Sequence, residues 1–164
     1  HSLIRPPYAI SSIGGKDIGR ESMTISAILA NHHHAVLTAS PHESIGDVVA
    51  RLAEKRIGAL PVVDGTSVVG IFSERDIVYG VARHGSAFLT KTVADTMTAP
   101  AITVAPDTPI LSALSLMTKR RIRHLPVIQG DDLVGFVSIG DLVKHRIDKI
   151  EAEAAAMRDY ISMA

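Results

Sequence analysis

The chain has 164 residues, 46% of them hydrophobic and 21% charged, enough for one sizeable core or two small fused ones. Its 17 Lys+Arg balance 17 Asp+Glu, which disfavours broad nucleic-acid or anionic-membrane binding, since both need clustered positive charge. With no cysteine, no tryptophan and 4% aromatics, disulfides, thiolate sites and base-stacking platforms drop out, and a cytoplasmic location is expected.

Residues 1–22 hold Pro6-Pro7, Ser11-Ser12 and Gly14-Gly15 and read as an irregular arm, native or added, without the long apolar stretch of a signal peptide. Met23 is the expected native start. From Thr24 the chain reads as one unit (23–80). TISAIL (Thr24–Leu29) opens it, and His32-His33-His34 follows. An extended segment, Ala35–Thr38, ends at Pro41. A helix carries Ile45, Val48, Val49 and Leu52 at i, i+3, i+4, i+7. Leu60–Val63, a turn at Asp64-Gly65, and Val68–Phe72 suggest a β-hairpin, and a second helix begins near Ser73. Tyr79–Lys91, with Gly80 and Gly85, reads as a connection, with the linker proper over 81–91.

The same order then returns over 92–145. Thr38–Val78 aligns without a gap on Thr103–Val143, with identities at Thr38/Thr103, Pro41/Pro106, Ile57/Ile122, Leu60/Leu125, Pro61/Pro126, Val62/Val127, Gly70/Gly135, Ser73/Ser138 and Asp76/Asp141. TVADTM (Thr92–Met97) matches TISAIL, and the first copy's extra residues fall around the three histidines. Thr108-Pro109 looks like a cap and first turn for the helix of Ile110, Ala113, Leu114 and Met117. The fold expected is α/β (α+β): two pseudo-symmetric β-α-β-β-α units that share a core, because a unit of about 55 residues buries little alone. Beyond the repeat, an amphipathic C-terminal extension (146–164) continues a heptad-like seam through Val143, Ile147, Ile150, Ala154, Met157 and Ile161. That seam suits either packing on its own domain or pairing with a second chain.

Two repeated polar features could carry chemistry. GIFSERD (Gly70–Asp76) and GFVSIGD (Gly135–Asp141) share Gly-x-x-Ser-x-x-Asp at a strand-to-helix junction. Ser-x-x-Asp before an apolar run is a capping arrangement. The same geometry can place a hydroxyl and a helix N-terminus near phosphate and a carboxylate near a ribose diol, with Gly allowing close backbone approach. RIGALPVV (Arg56–Val63) and RIRHLPVI (Arg121–Ile128) enter the following strand. Arg123 and His124, where the first copy has Gly58 and Ala59, form either a solvated basic turn or a phosphate clamp. In the clamp reading, AMP affinity weakens as pH rises through about 6.5. Arg75 is either an exposed helix residue or a phosphate contact. The triple histidine lacks the i, i+4 spacing of helical metal pairs and reads as a loop insertion. No G-x-S-x-G elbow accompanies Ser73 or Ser138.

These paired segments resemble tandem CBS domains (cystathionine-β-synthase-type), together a Bateman module. The resemblance spans about Thr24–Val143, and TVADTMT adds to it. It implies two clefts for adenosine nucleotides (AMP, ADP, ATP or NAD(H)) and no catalytic cofactor. By it, Asp76 and Asp141 would hold ribose, Ser73 and Ser138 would assist at ribose or phosphate, and Thr38, Thr103, Ala59 and His124 would border the purine. Arg56, Pro61, Arg75, Arg123 and Pro126 complete the implied nucleotide-binding set. Ser73 and Ser138 stand where the family often has Thr. The function implied is a non-catalytic regulatory sensor, a homodimer with an unidentified regulated protein and no nucleic-acid or membrane partner. Two alternatives remain. One is a nucleotide-processing enzyme using Asp76 or Asp141 as base and His124 as acid; the other is a structural dimerisation module with vestigial clefts.

Overall fold

The structure is a computed structural model that describes residues 23–164. The arm expected over 1–22 lies outside the described residues. The elements are α1 (Ile25–Ala30), α2 (Ile45–Lys55), β1 (Ala59–Asp64), β2 (Ser67–Ser73), α3 (Glu74–His84), α4 (Ile110–Arg120), β3 (His124–Gln129), β4 (Asp132–Ser138) and α5 (Ile139–Ser162). Short 3-10 turns cover Gly85–Thr90 and Val93–Asp95.

Each copy builds an antiparallel hairpin in the same register. Ala59 faces Ser73 and Val62 faces Gly70 in the first; His124 faces Ser138 and Val127 faces Gly135 in the second. Both hairpins bulge at the equivalent place, Val62/Val63 and Val127/Ile128. The connecting loops are two residues long, with Gly65 and Gly130 at φ 63° and 62°. Positive φ at the first loop position is where a tight hairpin turn needs glycine. Where an extended segment was expected ahead of each helix, the structure holds single parallel bridges, Ala39, one residue past Ala35–Thr38, to Val62 and Val104 to Val127.

The apolar stripes predicted for α2 and α4 are the buried ones: Ile45, Val48 and Leu52 in α2, and Ile110, Ala113 and Met117 in α4. Both helices end at an arginine in the left-handed region, Arg56 and Arg121, each at φ 53°. Ile57 N–H then donates back to the Leu52 carbonyl, and Ile122 N–H to that of Met117, closing each helix end in the Schellman manner. Thr108 does not cap α4. Pro109 occupies that position, and the Thr108 hydroxyl instead accepts from Ala105 N–H at 3.1 Å.

The shared core takes an exchanged form. Ile25 and Ile28, from the opening of the first copy, are buried in a cluster with Val104, Ile110, Met117, Leu125, Val137 and Leu142 of the second. Val93, from the opening of the second copy, is buried with Ile45, Val48, Leu60, Phe72 and Phe88 of the first. Backbone bonds fix the exchange symmetrically. Ile110 N–H donates to Met23 O and Ile45 N–H to Lys91 O, so each opening satisfies a first-turn donor of the other copy's helix. Ile25 N–H to Thr108 O and Val93 N–H to Glu43 O complete the pairing.

The repeated glycines follow from this exchange. A Cβ on Gly135 would lie 2.3 Å from Leu29 Cδ2, and one on Gly70 would lie 2.8 Å from the Thr98 carbonyl and 2.9 Å from Met97 Sδ. The close approach these glycines permit is that of the exchanged opening segments.

Candidate functional site

The Ser-x-x-Asp junctions cap their helices in both copies. At α3, the Ser73 N–H (2.9 Å) and hydroxyl (3.2 Å) both donate to Asp76 Oδ2. At α5, the Ser138 N–H donates to Asp141 Oδ2 at 2.8 Å, and the Ser138 hydroxyl accepts from Asp141 N–H at 3.1 Å. Capping uses one oxygen of each carboxylate. The second oxygens differ: Asp76 Oδ1 accepts from the Thr98 hydroxyl at 3.1 Å, whereas Asp141 Oδ1 lies 3.9 Å from His32 Nε2.

Two clefts lie between the copies, each pairing the capped helix start of one with the strand entry of the other. The larger, about 470 Å³, joins Ser138 and Asp141 to Arg56, Ile57, Gly58 and Ala59. Its apolar walls come from Leu29, Val36, Leu37, Leu133, Val134 and Phe136, with His32 and His34 alongside. The smaller, about 290 Å³, joins Ser73, Glu74, Arg75 and Thr98 to Arg121, Ile122, Arg123 and His124. Gly58 and His124 line both, so the clefts adjoin. Arg123 thus shares a cleft with Ser73, and Asp141 shares one with Arg56.

The strand entries are held by the helices of their own copies. Glu74 N–H donates to Gly58 O at 2.9 Å and Ile139 N–H to Arg123 O at 2.8 Å. His124 stacks on Phe136 with ring centres 5.4 Å apart and planes 11° from parallel. Burial pushes its pKa below the usual 6.5, against the opposing pull of Asp141 and Glu74. The imidazole is therefore neutral at neutral pH, and any loss of its charge falls at lower pH than the sequence suggests. Of the basic pair, only Arg123 is an exposed cation. Arg75 donates to the Arg121 carbonyl at 3.1 Å, tying α3 to the other copy while it lines the smaller cleft.

Of the residues implied by resemblance, Arg56, Ala59, Ser138, Asp141 and His124 meet in the larger cleft, and Ser73, Arg75, Arg123 and His124 in the smaller. Asp76 reaches the second only through Ser73 and Thr98. Thr38, Thr103, Pro61 and Pro126 line neither. Pro61 and Pro126 are buried strand residues whose carbonyls accept from Ala39 and Val104 N–H, and the Thr38 carbonyl accepts from Arg51. Sequence reasoning missed Leu29, His32, His34 and Thr98 as lining residues. The interrupted alignment around the histidines was the available signal for His32 and His34, while Leu29, inside the matched TISAIL, carried none. For Thr98 it was the mismatch with Ala30 at the aligned position.

Among the described residues, no group of three or more His, Asp or Glu side chains is placed to hold a metal ion. No helix among them is long and apolar enough to cross a membrane. The apolar seam on α5 is exposed along its length, at Val143, Ile147, Ile150, Met157 and Ile161.

The CBS domain family matches residues 25–83 and again 93–148. A CBS domain-containing mitochondrial protein of Arabidopsis thaliana, CBSX3, is 33% identical over 155 residues, covering 89% of this chain and 75% of the relative. The solved structure of a CBS-domain-containing protein from Agrobacterium tumefaciens superposes with TM-score 0.72 at 36% identity, over 75% of this chain and 98% of that one. The structure of CBSX2 in complex with AMP superposes with TM-score 0.65 at 26% identity, over 76% and 96%. Two family matches, one on each copy of an exchanged β-hairpin repeat, establish that the chain belongs to the CBS-domain family, as a tandem pair.

Proposed function

We propose that the chain is a regulatory module without catalytic activity that binds an adenosine nucleotide (AMP, ADP, ATP or NAD(H)) between its two copies. The observation that carries this reading is the larger cleft. There Asp141, with one carboxylate oxygen not used in capping, lines the same space as Arg56, walled by Leu29, Val36, Leu37 and Val134. A carboxylate is a natural acceptor for a ribose diol, the apolar walls suit a purine, and a guanidinium suits a phosphate. The AMP held by CBSX2 supports the ligand class. Both copies contribute to each cleft, so an occupant would favour one relative arrangement of the copies, which a partner protein could read.

Calorimetry of the full chain with AMP, ATP, NAD and NADH tests this reading. Binding at micromolar concentration is expected, and no binding below millimolar would sink it. Prolonged incubation with ATP or NAD should leave both unconverted. Turnover abolished by His124→Ala would favour the enzyme reading instead. The vestigial-cleft reading expects flat titrations with the oligomer intact. The exposed seam on α5 further supports a homodimer, since a closed two-fold pair is the commonest way to cover such a surface.

A further inference from the structure

The two clefts are assembled from equivalent pieces, yet only one presents an open carboxylate. In the smaller cleft, Asp76 accepts from Ser73 N–H and hydroxyl on Oδ2 and from the Thr98 hydroxyl on Oδ1. Thr98 is itself fixed: its N–H donates to Ile71 O, and its carbonyl accepts from Ile71 N–H, both at 2.9 Å. That bridge holds the Thr98 backbone against β2, so its hydroxyl reaches Asp76 from a set position.

The equivalent position in the other opening segment is Ala30, the last residue of α1, which has no hydroxyl to offer Asp141. Asp141 Oδ1 lies instead at 3.9 Å from the imidazole of His32, a residue of the insertion unique to the first copy. The cleft linings agree with this difference. Asp141 is part of the larger cleft, about 470 Å³; Asp76 is absent from the lining of the smaller, about 290 Å³.

We infer that each chain holds one ribose-bearing ligand, in the cleft of Asp141, and that Thr98 is the specificity-determining residue that closes the twin cleft by occupying Asp76. A diol donates two hydrogen bonds, whereas Asp76 already accepts three of the roughly four that a carboxylate can take, so the diol is fully bound only if the Thr98 bond is broken. In the larger cleft Asp141 Oδ1 makes no hydrogen bond that a diol would have to break, its neighbour being His32 Nε2 at 3.9 Å, and His32 presents a second polar group to the same occupant. The inference rests on the nucleotide reading above.

The test is calorimetry of AMP and adenosine on the full chain and on Asp141→Asn, Asp76→Asn and Thr98→Ala. Asparagine keeps an acceptor for the capping N–H, and circular dichroism and melting midpoints confirm that each variant is folded. One equivalent per chain is expected for the wild type. Asp141→Asn should weaken it by about tenfold or more, as loss of a hydrogen bond to a charged group does, and Asp76→Asn should leave it within about twofold. Thr98→Ala should add a second, weaker equivalent. Two equivalents in the wild type, or loss on Asp76→Asn in place of Asp141→Asn, would overturn the inference while leaving nucleotide binding intact. A Thr98→Ala chain still limited to one equivalent would overturn the role of Thr98. Flat titrations of the wild type would instead remove the nucleotide reading, and the inference with it.

Discussion

Leu29 lies so close over Gly135 that a methyl group on that glycine would stand 2.3 Å from its Cδ2. Met97 and Thr98 crowd Gly70 in the same way, but there the nearest atom is a backbone carbonyl, at 2.8 Å. Side-chain crowding can be relieved by rotating leucine; backbone crowding requires the opening segment to move. Both Gly→Ala substitutions should destabilise the chain by about 1–3 kcal/mol, as overpacking generally does. Gly70→Ala is expected to cost more than Gly135→Ala. Urea unfolding midpoints check the order, and equal or reversed costs would refute the backbone argument.

His124 makes a prediction about pH. Burial lowers its folded pKa below that of the unfolded chain, so between about 6.5 and the folded value the unfolded state binds more protons. Stability supplied by the neutral ring is complete above about 6.5, erodes as pH falls through that window, and stops changing below the folded pKa. His124→Phe keeps an aromatic partner for Phe136 but cannot be protonated. The wild type should lose stability relative to this variant on acidification from neutral pH. Parallel stability–pH profiles would count against a depressed pKa.

Glu43 and Arg51 form a second, chemically different anchor. Arg51 donates to both carboxylate oxygens of Glu43 and to the Thr38 carbonyl at 3.0 Å, while Glu43 Oε2 accepts from Ser40 N–H at 2.8 Å. Burial on its own would raise the Glu43 pKa. The bonds from Arg51 and Ser40, with the charge of Arg51, outweigh it and hold the carboxyl below its usual range. The stabilisation is present above the unfolded pKa, near 4.3, and is lost as pH falls through the folded value. Glu43→Gln should cost about 1–2 kcal/mol at neutral pH and flatten the acid limb of the stability profile. In the second copy Thr108 makes the matching turn bond without a charge, so Thr108→Val should show no added pH dependence.

The seam on α5 predicts the assembly. Burying an Ile or Met side chain contributes roughly 1.5–3 kcal/mol, and five large side chains of the seam are exposed in a single chain. Light scattering should report a dimer for the full chain and a monomer for Ile147→Glu combined with Ile150→Glu. A dimer that survives this change would place the interface elsewhere, Val78 and Tyr79 on α3 and Leu111 on α4 being among the exposed apolar alternatives. A monomeric wild type would reject dimerisation altogether.

The hairpins and the capped starts of α3 and α5 were legible in the sequence because each is a local structure with its own turn or cap residues. The register and the two-residue loops were not, the turns reading as longer and irregular, and the cap expected at Thr108 is not made. Gly65, Gly130, Ser73 and Ser138 sit where turn geometry and capping demand them. The exchange of openings was not legible. Ile25 and Val93 are equally apolar, and no local feature says which of two similar cores each one enters. Gly80 read as punctuation of a connection. It lies within α3, where a Cβ would meet the Phe88 ring at 2.0 Å, a contact only tertiary packing reveals. The left-handed arginines, Arg56 and Arg121, carried no compositional sign because that conformation usually selects glycine or asparagine. Of the candidate site, Arg56, Ser73, Arg123, Ser138 and Asp141 were readable from the repeat, while the polar His32, His34 and Thr98 were not. The larger cleft's apolar wall was not, since Leu29 and Leu37 are contributed by the first copy to a cleft whose carboxylate belongs to the second.

The crossed opening segments bear on how such a chain can arise and be divided. A single copy, made alone, would have an apolar opening with no core to receive it and a core lacking Val93 or Ile25. Two identical copies could satisfy each other only by trading these segments, as domain-swapped dimers do. The two-fold arrangement is thus older in logic than the covalent link: joining two traded copies end to end leaves the exchange intact and adds Phe88, from the connection, to the first core. Cutting the chain between Gly85 and Lys91 should accordingly yield halves that recover their structure together and fail to do so apart.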